Sequence, residues 1–338
     1  MARGLTVALA VVLAVVAAAE AVPQAREPRS HPGSIPAEPS YVKRVEPAIV
    51  GLRVRAPEAA ASSARLGARR FGTGVIFDRG GYALTVSYLL LDAVTIEAVL
   101  RDGRTVPARL VGLDLESGLG VVGLEGPGPW LAATLGQSHD AARGMLTGTV
   151  GVDEDNSLVY VTGSVQSIRR FAGFWEYMLD RALLITPASS SWGGSVVVDA
   201  AGAVIGVASL RLGQAPYLNL AIPIEKFVPV KDELVAAGRV VSRRPRPWLG
   251  LYTAATPSGV VIEGVAPAGP SATAGFRKGD RIVSVNGVAV GSQEHFYEVL
   301  WRGQAGDVVR IAVQREGTRH VIPVASIDRY RLLRMPPR

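Results

Sequence analysis

The sequence predicts a mainly β protein: two barrels of about six strands each, followed by a smaller β-rich unit with one or two helices. Three observations predict it. The stretch from residue 41 to about 230 is a succession of short runs rich in Val, Ile, Leu and Thr, several alternating with period two and broken by Gly or Asp. Those runs fall into two groups of similar size, and many short strands at even spacing favour a barrel or sandwich. The period turns helical in only two places, Ile224–Ala237 and Ser292–Trp301.

In chain order, IVGLRVRA, TGVIFD, YALTV, TIEAVL and VPARLVGL form the first group, with Asp102-Gly103 as a hairpin signal between the last two. MLTGTVGV, LVYVTGSVQSI, ALLIT, GSVVVD, AVIGVAS and LNLAIPI form the second, with a turn over Asp199–Gly202. IEKFVPVKDELVAAG then reads as a helix that ends at Gly238 and starts properly only after Pro229, because proline breaks a helix interior. The third unit, residues 248–330, has strand runs PWLGLYTA, GVVIEGV, DRIVSVNG and VVRIAVQREG, and a tight turn at Asn286-Gly287. Its helix SQEHFYEVLW begins at Ser292, a good N-cap residue, and puts Phe296, Val299 and Leu300 on one face. No fixed-period repeat is present, which excludes solenoids and propellers.

Length and composition narrow the classes. A chain of 338 residues has room for two or three domains, and 48% hydrophobic with 19% charged residues excludes global disorder. There is no cysteine, so disulfides and thiolate metal sites are excluded. Arg3, the apolar run Leu5–Ala19 and Ala19-Glu20-Ala21 have the form of a secretory signal over residues 1–21, too short to span a bilayer comfortably. The expected location is therefore outside the cytoplasm, as a periplasmic or extracytoplasmic protein, with membrane anchoring by residues 5–19 as the alternative.

The net charge of +7 is unchanged by removal of residues 1–21, which carry one Arg and one Glu. Its densest basic stretch, Arg239–Arg246, has interleaved prolines and no aromatic platform. That pattern predicts a solvated linker over residues 239–247, and the basic tail over 331–338 is read the same way. No nucleic-acid signature is present. Residues 22–40 are rich in Pro, Glu and Ser and read as a flexible tether. The acidic turn Asp153-Glu154-Asp155 reads as a solvated loop, so no metal and no cofactor is expected.

The stretch SSSWGGSVVV raises the functional question, because Trp192 puts an indole directly before the glycine pair Gly193 and Gly194. Its context answers part of it. In order, FGTGVIFDRGGYALTVSYLL, LRDGRTVPARLVGLDLESGLGVVGL, SSSWGGSVVVDAAGAVIGVAS, LNLAIPIEKF and RPWLGL resemble the HtrA/Deg type of trypsin-like serine protease. The third unit, with GVVIEGVAPAGPSATAGFRKGDRIVSVNG, resembles a PDZ domain. The resemblance covers roughly residues 41–325. It implies a chymotrypsin-like double β-barrel over 41–238, with a catalytic triad in the cleft between the barrels, and a peptide-binding PDZ domain over 248–330.

The same resemblance puts Tyr88 at the histidine position, Gly118 at the aspartate position and Trp192 at the nucleophile position. None supplies the chemistry, which needs a nucleophile, a base and a group that orients the base. A tyrosine with an ordinary pKa of about 10 stays protonated at neutral pH. Gly118 orients nothing, and Asp114, four residues away, has no imidazole to orient. Ser191 is an outside candidate, but a one-residue slip would displace the oxyanion donors. His31, His139, His295 and His320 all fall outside the histidine stretch. Loss of a whole triad costs about 2 × 10⁶-fold in turnover, which takes a rate of about 10 per second to about 10⁻⁵ per second.

The reading is a pseudoprotease: an exported, non-catalytic scaffold, adaptor or quality-control partner that binds peptides or protein C-termini. The alternatives are a serine-type endopeptidase with a non-standard site and a chaperone-like holdase. The peptide site is assigned to Trp248, Leu249, Gly250 and Leu251, with the helix from Ser292 as its second wall and His295 as a candidate on it. An active HtrA-type relative is a candidate partner, and a homo-trimer through the segment near Tyr41 is a further expectation from the family.

Overall fold

The computed structural model describes residues 38–333, so the signal segment and His31 lie outside the described residues. Two closed six-stranded barrels come first. Barrel one contains α1 (Ser40–Val45), β1 (Ile49–Arg55), α2 (Ser63–Leu66), β2 (Arg69–Ile76), β3 (Tyr82–Val86), α3 (Ser87–Leu90), β4 (Thr95–Val99), β5 (Thr105–Asp114) and β6 (Leu119–Leu124). Its strands close in the order β1-β2-β3-β6-β5-β4. Barrel two contains β7 (Leu146–Val152), β8 (Leu158–Gly173), β9 (Tyr177–Thr186), β10 (Val196–Val198), β11 (Val204–Leu212) and β12 (Leu218–Pro223), closing as β10-β11-β12-β9-β8-β7. Closure removes the free edges that a flat sheet would expose.

After Pro229, α4 (Lys231–Ala237) ends at Gly238, whose φ of +72° makes the left-handed cap that only glycine adopts easily. The third unit is a sheet of β13 (Leu251–Thr256), β14 (Gly259–Val265), β15 (Arg281–Val285), β16 (Val288–Ala289), β17 (Val308–Arg315) and β18 (Thr318–Ala325). The order is β13-β14-β15-β17-β18, with β16 paired to β15, so β13 is an edge strand. Helix α5 (Gln293–Leu300) covers it, and the Ser292 hydroxyl accepts the His295 backbone N–H at 3.1 Å as its N-cap. Phe296 and Tyr297 of α5 are fully buried with Leu249, Leu251, Val260 and Ile262.

Three expectations need correction. The Arg239–Arg246 stretch is docked rather than solvated: Arg243 lies 2.9 Å from Asp114, Arg246 lies 3.0 Å from Glu116, and Arg239 lies 3.1 Å from Asp328. Asp114 is buried and Glu116 and Asp328 are half-buried, and a carboxylate with little water attracts a guanidinium because an unpaired charge there is costly. The start of the tail is docked, with a 3₁₀ turn at Arg329–Leu332; the Tyr330 hydroxyl donates to the Leu113 carbonyl at 2.8 Å and accepts the Leu115 N–H at 3.2 Å. Tyr41 is 7% exposed, and its hydroxyl pairs with the Thr162 hydroxyl at 2.7 Å. Its ring packs inside the chain, against Gly148 of barrel two. The tether ends at Pro39, because α1 begins at Ser40.

Candidate functional site

The cleft residues are held by the ends of β3, β6 and the turn before β10. Tyr88 sits in α3, directly after β3, and its hydroxyl donates to the Ser209 carbonyl at 2.8 Å. Burial pushes this phenol well above the usual tyrosine range, so it keeps its proton and acts as a donor. The Ser87 N–H donates to the Gly118 carbonyl at 2.7 Å, which ties the residue before Tyr88 to Gly118. Gly118 has φ +82°, and a Cβ there would stand 3.0 Å from the Tyr177 hydroxyl. That hydroxyl donates to the Ser117 carbonyl at 2.7 Å.

The Trp192–Gly194 turn is fixed from both sides. The Gly193 carbonyl accepts the Thr73 N–H at 2.8 Å, and a Cβ on Gly193 would lie 3.1 Å from the Tyr88 hydroxyl. Gly194 has φ +86°, and a Cβ on it would fall 2.0 Å from the Thr73 carbonyl oxygen. The half-buried indole of Trp192 packs with Met145 and Ile168 on the apolar cluster of barrel two, with the Arg211 guanidinium 5.9 Å from its ring. It is turned onto protein rather than out into water.

Among the described residues, the hydrogen bonds of Ser191 go to backbone and to another serine. Its hydroxyl donates to the Val152 carbonyl, and its N–H goes to the Ser189 hydroxyl at 3.2 Å. His139 is on the surface beside Asp140 and Glu225, His295 is in α5 and His320 in β18. Asp114 is buried under Arg243 and also receives the Glu116 N–H at 3.1 Å, so it anchors the interdomain segment. Asp153 closes its own turn by accepting the Asp155 and Ser157 N–H groups, a structural use of the acidic stretch.

The loop Trp248–Leu251 is where the sequence placed a carboxylate site, and a carboxylate is there. The Leu249 N–H reaches Glu176 Oε2 at 3.0 Å and the Leu251 N–H reaches Oε1 at 2.7 Å. Gly250, between them, has φ +78°, the conformation that lets successive N–H groups converge on one anion. Trp248 packs beneath, with the Arg329 guanidinium 5.8 Å from its ring. Glu176 comes from the tip of the β8–β9 hairpin. The rest of the tip follows β13: the Thr253 N–H donates to the Phe174 carbonyl at 2.9 Å, and the Tyr297 hydroxyl donates to the Gly173 carbonyl at 2.6 Å. On α5 the groove-facing side chains are Gln293, whose amide donates to the Thr253 carbonyl at 2.8 Å, and Tyr297; His295 makes only its backbone bond to the cap.

Glu176 escaped the sequence reading. The signal that could have found it is FAGFWEYM, four aromatics around one acid in a chain with only 6% aromatics. Burial holds the Glu176 carboxyl up at about 7 against the opposing pull of the Leu249 and Leu251 N–H groups and of Arg329.

Barrels and groove together define a class: a trypsin-type double barrel with a C-terminal β-rich domain of the PDZ type. Comparison with known proteins agrees. Residues 72–207 match the trypsin-like peptidase domain family and residues 239–325 the PDZ domain family. The chain is 26% identical over 278 residues to the serine protease Do-like HtrA of Lactobacillus helveticus, covering 73% of this chain and 66% of that protein. It is 27% identical over 296 residues to the serine endoprotease DegS of Salmonella typhimurium, covering 81% of each. Among solved structures, the HtrA-type protease AlgW with tripeptide is similar at 26% identity and a TM-score of 0.53, covering 88% of this chain and 99% of that one. The chain spans just under two thirds of the length of the Lactobacillus relative. The chain thus carries a match to a trypsin-like peptidase domain followed by a match to a PDZ domain, the arrangement in which it is similar to HtrA-type proteases.

Proposed function

We infer that this HtrA-type chain is an exported, non-catalytic binder of peptides or protein C-termini, acting as a scaffold or quality-control partner. The observation that carries the reading is the pair of Leu249 and Leu251 N–H groups converging on a carboxylate beside an edge strand. A peptide C-terminus presents that same group, and strand addition at β13 supplies its backbone bonds. The lack of catalysis is supported by Tyr88, a buried donor to Ser209 where the family resemblance expects a base, and by the indole of Trp192 where it expects a hydroxyl. The relatives' names support export, since a 28% identical protein from Halomonas elongata is described as a probable periplasmic serine endoprotease. Among the described residues no helix is long and apolar enough to cross a membrane.

Two measurements test the reading. Purified full chain incubated with fluorogenic casein is expected to give no cleavage; cleavage that Ser191→Ala abolishes overturns the non-catalytic part. Labelled decapeptides with a free α-carboxylate are expected to bind more tightly than their C-terminal amides. Equal binding of the two overturns the carboxylate site.

A further inference from the structure

We propose that residues Gly173–Glu176 are a built-in competitor for the PDZ groove, with the Glu176 side chain standing in for the terminal carboxylate of an incoming peptide. This rests on the peptide-binding reading above and adds a regulation to it.

Each part of a bound peptide has its counterpart in the hairpin tip. The carboxylate is Glu176, held by the Leu249 and Leu251 N–H groups. The added strand is represented by the Phe174 carbonyl on the Thr253 N–H, which uses the outer edge of β13. The wall contact is the Gly173 carbonyl on the Tyr297 hydroxyl of α5. Ala172 and Met178 pack on the apolar core of the PDZ domain from either side of the tip. A free peptide therefore meets no vacant donor in the loop until the hairpin withdraws.

The backbone at the tip carries strain that the side chain explains. Glu176 has φ +55°, a conformation for which glycine or asparagine is the usual choice. It is also 6% exposed, and a carboxylate with that little water is costly unless it is satisfied. The other two buried carboxylates are closed by arginine: Asp114 by Arg243 at 2.9 Å and Asp280 by Arg315 at 2.7 Å. Glu176 has no cation within ion-pair distance among the described residues and depends on the loop N–H groups. Those are the donors a second carboxylate would take, so the contact is exchangeable where the two ion pairs are not.

The competitor also sets how tightly a peptide binds, because occupancy of the groove divides the apparent affinity by the open fraction. A latch that is closed nine-tenths of the time weakens binding about tenfold.

The test uses the full chain with three substitutions and a fluorescein-labelled decapeptide pool ending in Val, Leu or Phe with a free α-carboxylate, alongside the amidated pool. Glu176→Ala is expected to lower the apparent Kd at least tenfold for the free-acid pool only. Glu176→Gln keeps an acceptor oxygen and is expected to do so by a smaller factor. Phe174→Ala removes a ring that lies 5.8 Å from Tyr252 without touching the buried carboxylate, and it is expected to move the affinity the same way. Hydrogen exchange at the Leu249 and Leu251 amides reports the opening independently of any peptide. Equal, carboxylate-dependent affinity in the parent and all three variants overturns the latch and leaves the peptide reading standing. Faster exchange of those amides in Glu176→Ala with no peptide bound by any chain overturns the peptide reading, and the competitor with it.

Discussion

Residues Tyr88, Gly118 and Trp192 of the barrels and the groove of the PDZ domain are both held by contacts within the chain, but the two sets of contacts differ in kind. In the cleft, Tyr88 hydrogen-bonds a backbone carbonyl, Trp192 packs on the core of barrel two, and the glycine turn beneath leaves no room for a Cβ. These contacts are made with the chain's own backbone and apolar core. In the groove, the filling is a carboxylate on backbone N–H groups, a chemistry that any peptide C-terminus reproduces. Packing makes a permanent closure, whereas a hydrogen-bonded anion makes one that can be competed away.

The largest expected effect would break the first half of that contrast. Combined Tyr88→His, Gly118→Asp and Trp192→Ser is expected to leave casein turnover at background, about six orders of magnitude below an intact protease. The reason is local: residue 118 has a left-handed φ and the Tyr177 hydroxyl lies 3.0 Å from where its Cβ would be. Turnover restored by the three changes alone would show the cleft to be only chemically, not sterically, closed.

Next in size is Gly194→Ala. Its Cβ would fall 2.0 Å from the Thr73 carbonyl at a positive φ, so a loss of about 3–5 kcal/mol in urea unfolding is expected from strain and overpacking together. An unchanged midpoint would show the turn to be looser than the contrast requires.

The groove should respond to pH and the cleft should not. The Glu176 carboxyl is raised from 4.5 to about 7 when docked, so the docked form holds its proton more tightly than the released form. As pH rises from about 4.5 to about 7, release is favoured, and peptide affinity is expected to increase by up to about two orders of magnitude. Below and above that window this contribution is flat. The groups facing Glu176 are Arg329 from the C-terminal turn and Tyr297 from α5, while Glu116 and Arg246 line the adjoining cleft as an ion pair. Burial also raises the Glu116 carboxyl, so Glu176→Gln is the control: a pH profile that keeps its slope in that variant assigns the effect elsewhere.

The smallest effect is Tyr88→Phe. It removes the bond to the Ser209 carbonyl and should cost about 1 kcal/mol of stability, with peptide affinity unchanged. A change in peptide affinity would show the two recesses to be more tightly linked than their chemistry suggests.

Local chemistry explains what the sequence disclosed. The six strands of barrel two, the start of α4 after Pro229, the Ser292 cap and the left-handed turn at Asn286-Gly287 all follow from residues close together in the chain. The loop Trp248–Leu251 could be singled out only through the resemblance to a PDZ domain, with Gly250 read as allowing close approach of the backbone to a ligand. What fills it was not legible, because Glu176 lies 73 residues before Leu249 and is a hairpin residue by every local rule. The docking of Arg243 on Asp114 and of Tyr330 on Leu113 was hidden for the same reason, being set by tertiary packing between distant segments. Strand β18 was passed over because TRHVIPVA mixes exposed basic residues with a proline, which suits an edge strand but weakens its signature.

Glu176 and Tyr177 are consecutive, yet one lies in the PDZ groove and the other covers Gly118. A single peptide bond therefore separates the two closures. An aspartate at position 118 would have to displace the Tyr177 hydroxyl, and displacing Tyr177 would pull on Glu176. A change made between the barrels is therefore transmitted to the PDZ loop through one backbone link, with no need for a longer path.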